Sequence, residues 1–338
     1  MANKKGKKNL PLFLPFITIR SLFIAKKYDM ILFGDGVLSP IGAILKFFYP
    51  QKTIASIIHG LDITFAHKES ILGKVYRTFN IPSHKKLDKL IMVGNEAAEE
   101  AVKVGIPRGK CVFIPNGLFP EEVYKYHTRE EMEKVLGIIS ADKKIILRTG
   151  RFVKHKGQEW FIKNVMPKLP DDYVLVCAGG RVAKKTAGDE DNYEACVKAI
   201  KENGLEKRVI LITNIPEKDK LILLNTIDLF VSPNIKVHGS MEGFGITSIE
   251  AAVCGRVVLA SNLEGLKDSV ADGQSGFLIE HENTDAWVNK INELLADDNY
   301  RKEFGEKARQ FVIENYSWDK IAQKYLEEIE SVISKSKI

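Results

Sequence analysis

Two glutamates and two glycines lie close together in the stretch Met241–Gly255. Glu242 precedes Gly243 and Gly245, and Glu250 lies eight positions after Glu242. Glycines allow a tight turn and a close approach to a ligand, and the residues after them favour a helix. The N-terminus of such a helix favours a phosphate, while the two carboxylates could accept hydrogen bonds from sugar hydroxyls. The stretch therefore predicts a site for a phosphorylated sugar, with a capped surface helix as the alternative.

A second group of polar residues follows the ends of predicted strands. Arg151 and Lys156 lie in a turn bounded by glycines at 150 and 157, where two cations could clamp a diphosphate. Two solvated surface bases are the alternative reading of this pair. His59 and Asp62 follow another apolar run. His59 is either part of a reaction centre or structural, and Asp62 either contacts a substrate or caps a helix.

The spacing of the remaining residues excludes several common sites. The chain has no Gly-x-x-x-x-Gly-Lys-Ser/Thr loop, no Gly-x-Gly-x-x-Gly after its first strand and no Gly-x-Ser-x-Gly elbow. Its four cysteines show no Cys-x-x-Cys spacing, and its seven histidines form no cluster. We therefore expect neither a metal site nor a disulfide framework, which suits a reducing cytosol. Aromatic residues do not interleave the basic ones, so we expect no nucleic-acid partner.

Short apolar runs alternate with helix-like segments along the chain, which predicts parallel sheets connected by helices. A first series of strands ends at Pro115-Asn116-Gly117, and a second series begins at Ile145 after a charged connection. A chain of 338 residues exceeds what one core usually serves, so we expect two α/β domains. Ligands bind such folds beyond the carboxyl ends of the strands, where Arg151 and His59 are expected.

Positive charge is concentrated in the first part of the chain. Residues 1–125 hold 19 Lys and Arg against 10 Asp and Glu, a net +9, whereas the remainder has 31 against 34, a net −3. Lysines also precede the apolar run Leu10–Ile19, which Pro11 and Pro15 interrupt and which is shorter than the roughly 20 residues of a membrane span. We expect a helix over Phe16–Lys27 on the sheet or on a membrane surface. A soluble basic face is the alternative to docking on an anionic membrane.

Five motifs together resemble glycosyltransferase family 4, whose members are retaining nucleotide-sugar enzymes of the GT-B fold. The motifs are the Gly-Arg-x-x-x-x-Lys-Gly turn, the Glu-Gly-Phe-Gly…Glu stretch, Pro115-Asn116-Gly117, Asp272-Gly273-x-x-Gly276 and Tyr316-Ser317-Trp318. The resemblance implies an α/β protein with two Rossmann-like domains that face a cleft. Residues 1–125 would form the acceptor-side domain and residues 126–317 the nucleotide-sugar-binding domain, with a helix over 318–338 crossing back to the first domain.

The resemblance also implies roles for individual residues. His59 and Glu242 would be the catalytic residues, with His59 beside the transferred sugar and Glu242 holding it. Arg151 and Lys156 would bind the donor diphosphate, and Glu250 would accept from the nucleotide ribose. The other implied donor contacts are Gly243, Phe244, Gly245 and Ile246 in the motif and Thr213, Asn214 and Ile215 around the base. A UDP-, GDP- or ADP-sugar would be the donor, and no metal or other cofactor is expected.

The implied reaction is hexose transfer to a glycan or lipid-linked acceptor with retention at the anomeric carbon, in the synthesis of a surface polysaccharide or glycoconjugate. The expected location is the cytoplasm or the inner face of the membrane. The chain departs from the family at its start, because the βα units that normally precede the equivalent of Tyr28–Phe33 are missing. The alternative function is therefore a donor-binding subunit or scaffold, inactive until a partner supplies the missing half.

Overall fold

The computed structural model describes residues 10–138, 142–182 and 191–336. Within them the chain forms two compact units, each built on a parallel sheet. The first unit contains the described residues up to 93, residues 97–114 and the end of the chain from 323. The second unit contains residues 94–96 and 115–322. The predicted succession of two α/β domains is therefore present.

The first unit has four parallel strands in the order β1-β2-β3-β4. They form from the short apolar runs of the sequence, and β2 is buried over nearly its whole length, as expected for a strand covered on both faces. The strands are β1 (Met30–Phe33), β2 (Thr53–Ile58), β3 (Lys89–Met92) and β4 (Cys111–Phe113). The helices are α1 (Leu10–Ala25), α2 (Ser39–Phe48), α3 (Leu61–Thr64), α4 (Ile71–Lys86) and α5 (Asn95–Lys103).

The first helix differs from its prediction, since it begins at Leu10 and ends at Ala25, not at Phe16 and Lys27. Pro11 falls in the first turn, where a helix needs no N–H donor, and the chain remains helical through Pro15. Among the described residues, no helix combines the length and the apolar character that crossing a membrane requires.

The second unit has six parallel strands in the order β10-β9-β8-β5-β6-β7. The strands are β5 (Lys144–Thr149), β6 (Tyr173–Gly179), β7 (Val209–Thr213), β8 (Leu229–Ser232), β9 (Val258–Ser261) and β10 (Phe277–Ile279). Sequence patterns predicted the first five of these strands and missed β10, which is too short to show a period. The helices are α6 (Pro120–Val123), α7 (Arg129–Leu136), α8 (Gln158–Asn164), α9 (Tyr193–Glu202), α10 (Glu217–Thr226), α11 (Ile246–Val253), α12 (Leu266–Ser269), α13 (Thr284–Ala296) and α14 (Asp298–Tyr316). The last helix, α15 (Trp318–Ser336), begins in the second unit and belongs to the first unit from residue 323 onward.

The central strands of the second sheet form its core. Side chains of β5, β6, β8 and β9 are buried almost throughout, and the large Trp287 of α13 packs edge-on against Phe161 of α8 at 5.7 Å between ring centroids. One buried side chain in this core is charged: Arg148, in β5, is only 1% exposed. The core therefore fixes the carboxyl ends of β5 and β8, and it holds a cation next to them.

Candidate active site

The turn before α11 is shaped by a glycine in the left-handed region. Gly245 has φ +82° and is the N-cap of the helix. A Cβ atom at this position would lie 2.6 Å from Cδ2 of Leu266, closer than any real contact of this kind. Glycine therefore satisfies both the backbone dihedral and the close packing. Ser248 donates its N–H to the Gly245 carbonyl at 2.9 Å. Ile246 and Thr247 precede it in the first turn, where a helix offers their N–H groups no carbonyl four residues back, so this end of α11 suits an anion.

Phe244, beside that glycine, anchors the turn from the inside. Its ring is 3% exposed and meets the ring of Tyr316 edge-on, at 5.8 Å between centroids. The Tyr316 hydroxyl donates to the carbonyl of Asp268 at 2.8 Å. The late Tyr-Ser-Trp motif thus supports the shape of the Glu-Gly-Phe-Gly turn, although the two are far apart in the sequence.

Glu242 and Lys156 form an ion pair in the second unit. One carboxylate oxygen of Glu242 accepts from the Lys156 ammonium and, at 3.1 Å, from the side-chain amide of Asn234. The side chains of Lys156 and Glu242 are only 12% and 13% exposed. Gly157 makes this pairing possible, since a Cβ atom there would lie 1.8 Å from the carbonyl oxygen of Pro233. The structure therefore joins two of the sequence-predicted site residues, which lie 86 positions apart.

Arg148 extends this cluster, and sequence reasoning missed it. Its guanidinium donates to the Asn234 side-chain oxygen at 3.2 Å and to the carbonyl of Thr149. Burial lowers the pKa of Arg148, and the carboxylate of Glu242 opposes that change. The available signal was a charged residue directly after the apolar run Ile145–Leu147 of a buried strand, where a charge rarely occurs without a partner. Two cations therefore surround one carboxylate.

The charges of the cluster control the pKa of Glu242. Burial is the largest single influence and raises this pKa, but the charge and hydrogen bond of Lys156 together with the charges of His155 and Arg148 outweigh it and lower the pKa to about 2. Burial lowers the pKa of Lys156, and Glu242 partly opposes that change. Glu242 is thus an ionised acceptor of hydrogen bonds at neutral pH and cannot act there as a general acid.

A second buried glutamate holds the backbone of the motif. Glu264 accepts from the N–H of Glu242 at 2.7 Å and from the ammonium of Lys236 at 3.1 Å. It adopts φ +49°, an uncommon value for a residue with a side chain, and it is 2% exposed. Burial raises the pKa of its carboxyl. Sequence reasoning also missed Glu264 and Lys236, because their contact appears only once the loops are folded.

Glu250 lies inside α11 and pairs with Lys220 of α10. The Lys220 ammonium lies 3.3 Å from one carboxylate oxygen of Glu250 and 2.8 Å from Glu217. Burial raises the pKa of Glu250, although Lys220 opposes the change. A half-buried carboxylate held by one lysine keeps free lone pairs for a hydroxyl donor. The predicted contact of Glu250 with a ribose stays a prediction.

The remaining predicted donor residues lie at the carboxyl ends of neighbouring strands. Arg151 follows β5 with its side chain exposed, and its carbonyl accepts from the Gln158 amide at 2.9 Å. Asn214 follows β7 at φ +54° and donates its N–H to the carbonyl of Gly179, at the end of β6, at 2.9 Å. Thr213 ends β7, so these residues share one edge of the sheet. Their contacts with a diphosphate and a base, like those of Ile215 and Ile246, stay predictions.

His59 belongs to the first unit and follows β2. Its ring Nε2 lies 3.1 Å from the carbonyl oxygen of Gly34, and its backbone N–H donates to Asp62 at 2.7 Å. Burial and the nearby Asp35 raise the pKa of Asp62 to about 6, although the hydrogen bond from His59 opposes the rise. A carbonyl oxygen can only accept, so Nε2 carries a proton in this hydrogen bond.

Within residues 10–138, 142–182 and 191–336, no group of three or more His, Cys, Asp or Glu side chains is placed to hold a metal ion. The positive charge of the second unit's cluster comes from Lys156 and Arg148. Beside the N-terminus of α11, these groups can bind an anion through hydrogen bonds to ammonium and backbone N–H groups.

Comparisons with known proteins show the family of this chain. The family model described as "Glycosyl transferases group 1" matches residues 129–311. The chain is 27% identical over 252 residues to a lipopolysaccharide 1,2-N-acetylglucosaminetransferase of Salmonella typhimurium, covering 73% of this chain and 64% of that protein. It thus spans less than two thirds of that relative. It is also 27% identical to an N,N'-diacetylbacillosaminyl-diphospho-undecaprenol alpha-1,3-N-acetylgalactosaminyltransferase of Campylobacter jejuni, covering 82% of this chain and 70% of the relative.

The fold has close counterparts among solved structures. The structure of Anabaena Alr3699/HepE in complex with UDP superposes with a TM-score of 0.77 at 19% sequence identity, covering 93% of this chain and 82% of that one. At this identity the similarity shows the fold alone. The predicted α/β fold of the GT-B type is confirmed.

Proposed function

The chain belongs to the glycosyl transferases group 1 family, and from this membership we propose that it transfers a hexose from a nucleotide diphospho-sugar to a hydroxyl acceptor with retention at the anomeric carbon. The new glycosidic bond forms between the acceptor oxygen and the anomeric carbon, while the bond from that carbon to the phosphate oxygen breaks. The departing phosphate oxygen takes the acceptor proton, and the nucleoside diphosphate leaves. No separate general base is required by this scheme.

The observation that carries the proposal is the buried Lys156–Glu242 pair beside the glycine-capped start of α11. An ammonium has three N–H donors, and Glu242 uses one of them, so Lys156 can also donate to a diphosphate without leaving its partner. With Arg151 and the first N–H groups of α11 it would stabilise the charge that develops on the leaving group. We propose that these groups suffice without a metal ion.

The carboxylates would orient the sugar nucleotide. Glu242 is ionised and held by Lys156 and Asn234, so it would accept from hydroxyls of the transferred hexose through its remaining lone pairs. Glu250 would accept from the ribose, and Thr213–Ile215 would line the base. His59 would lie beside the anomeric centre. Fixed acceptors of this kind act by positioning, which converts a bimolecular encounter into a reaction within one complex.

The acceptor that we propose is a glycan or a lipid-linked glycan. The Salmonella relative is named for lipopolysaccharide and the Campylobacter relative for a diphospho-undecaprenol acceptor, which favours surface polysaccharide or glycoconjugate synthesis here too. We place the reaction in the cytoplasm, because the four cysteines are free thiols and three of them are buried, as in proteins of a reducing compartment.

The proposal is tested with the purified chain and a panel of UDP-, GDP- and ADP-sugars. One nucleotide should raise the unfolding temperature through mass action, and the matching sugar nucleotide should release its nucleoside diphosphate when acceptor is added. If the chain binds the nucleotide but releases nucleoside diphosphate only when a partner protein is added, the alternative function of a donor-binding subunit is favoured. Neither binding nor release with any of the three nucleotides would contradict the proposal.

A further inference from the structure

Three helices of the first unit expose apolar side chains in stripes. The stripes include Ile19 and Phe23 in α1, Ile44 and Phe47 in α2, and Val75 and Phe79 in α4. The members of each stripe are three or four positions apart, so they share one face of their helix. The phenylalanines at 23, 47 and 79 are 67%, 80% and 62% exposed. Single apolar residues scattered over a soluble surface are normal, whereas exposed apolar residues that group on the same faces of neighbouring helices mark an interaction surface.

The stripes belong to neighbouring helices. α2 packs against both α1 and α4, so it is the middle member of the three. The hydroxyl of Tyr49, at the end of α2, donates to the carbonyl of Leu22 in α1 at 2.8 Å. The exposed residues are thus presented from one layer of the first unit.

The composition of α1 requires an apolar neighbour. Thr18, Arg20 and Ser21 are its only polar residues, and the helix is apolar on all sides. A helix of this kind is normally buried in a core or in lipid, yet Phe16 and Phe23 are more than half exposed. The described residues of the unit therefore leave part of this apolar helix uncovered.

The charges of the three helices are all positive. The sequences of α1, α2 and α4 contain no Asp or Glu. Arg20, Lys74 and Lys86 are exposed on them, and Lys26 and Lys27 follow α1 directly. By contrast α5 of the same unit contains three glutamates. Two exposed acids, Asp29 and Glu69, lie just outside α1 and α4, but the cations outnumber them. Apolar stripes with such a surplus of cations are typical of helices that lie in the interface of an anionic membrane.

We propose that α1, α2 and α4 form a docking surface for an anionic lipid bilayer. Phe23, Phe47 and Phe79 insert at the boundary between head groups and acyl chains, and the lysines and arginine approach the lipid phosphates. This assignment does not depend on the donor site, which lies in the second unit. It identifies by residue the surface through which the protein would reach a lipid-borne substrate.

The test is co-sedimentation with vesicles of phosphatidylcholine containing phosphatidylglycerol. The triple variant Phe23→Ser, Phe47→Ser, Phe79→Ser should bind at least about ten-fold more weakly than the wild type, because its apolar anchors are gone. Tyr126→Ser, which changes a side chain that is 88% exposed in the second unit, is the matched control and should bind like the wild type. All of these positions are exposed, and unchanged thermal unfolding verifies that each variant is folded.

The electrostatic part is tested with Lys74→Gln and Lys86→Gln. Each substitution should lower the partition coefficient about five-fold at low salt and less at high salt, while Lys201→Gln on α9 should have no effect. The proposal would be overturned if the wild type bound equally well to vesicles with and without phosphatidylglycerol. It would also be overturned if the triple variant bound as strongly as the wild type. A wild-type dimer that the triple variant converts to a monomer would overturn it too, because the surface would then join two copies of the chain. Nucleotide release is not part of either readout.

Discussion

At the scale of single residues, Lys156, Glu242, Asn234 and Arg148 form the buried charged cluster on which the proposed donor site rests. Sequence spacing identified Lys156 and Glu242 as separate candidates with the correct charges. It could not identify their pairing, because the contact depends on how the loops after β5 and β8 meet. Arg148 and Asn234 were missed for the same reason: their role is to complete a buried hydrogen-bonded network, and neither residue lies in a recognisable motif.

The ion pair should behave as a unit when it is mutated. Glu242→Gln leaves two mostly buried cations without their carboxylate and should lower the free energy of unfolding by about 3–5 kcal/mol. Adding Lys156→Met removes one of those cations, so the double variant should be at least about 1 kcal/mol more stable than the sum of the single effects predicts. Urea unfolding of the four proteins measures the coupling. Simple additivity would show that the pair is not formed in solution.

The same carboxylate gives the stability a dependence on acid. The pKa of Glu242 is about 2 in the folded chain, below its ordinary value of 4.5. Its stabilising contribution is therefore present above pH 4.5 and is lost as the pH falls toward 2. Between pH 4.5 and pH 2 the free energy of unfolding should therefore fall less steeply with pH in the Glu242→Gln variant than in the wild type, as urea unfolding at several pH values would measure.

Asp62, in the first unit, should have the opposite pH dependence. Its pKa is raised from 3.8 to about 6, so its contribution is present below pH 3.8 and is lost as the pH rises through 6. Asp62→Asn keeps an acceptor for the His59 N–H but cannot ionise. The change that it makes in the free energy of unfolding should therefore be more favourable at pH 8 than at pH 3.5, by about 3 kcal/mol. Thermal or urea unfolding at both pH values measures this difference. Asp285→Asn, at a side chain that is 81% exposed, is the control and should show almost none of it.

At the scale of elements, the sequence predicted most of the strands because they are short apolar runs in an alternating α/β order. It missed β10, which has three residues and no period, and it placed the start of α1 at Phe16, six residues after the helix begins. The glycine turn before α11 was predicted from residue type. Its support by Leu266 and Tyr316 could not be, since those contacts join residues far apart in the sequence.

The turn before α11 should tolerate no side chain at position 245. Gly245→Ala combines an unfavourable φ with a Cβ atom 2.6 Å from Leu266, and should cost about 2–3 kcal/mol of stability and about ten-fold in nucleotide affinity. Gly137→Ala is the matched control, since Gly137 has φ +66° and would meet nothing within 4 Å. It should cost only the backbone strain, about 1 kcal/mol. Equal effects of the two substitutions would show that the packing of the turn is not required.

At the scale of the whole molecule, composition and motif order predicted two α/β units and a nucleotide-sugar enzyme of the GT-B type, and the family is confirmed. The charge asymmetry was also visible, with the excess of Lys and Arg in residues 1–125. The apolar stripes on α2 and α4 were not visible, because they depend on which face of each helix the sheet covers. We therefore propose a division of function between the charged cluster of the second unit, which would bind the donor, and the apolar and basic surface of the first unit, which would bind lipid.

The central claim is that Lys156 stabilises the leaving diphosphate. The most direct measurement is kcat/KM for nucleoside diphosphate release, with the donor that the binding panel selects, for Lys156→Gln and Lys154→Gln. Lys154 is an exposed lysine of the same turn and is the matched control. We predict a loss of about 100-fold or more for Lys156→Gln, as for removal of one fixed donor to a developing anion, and wild-type values for Lys154→Gln. Wild-type kcat/KM in the folded Lys156→Gln variant would contradict the account.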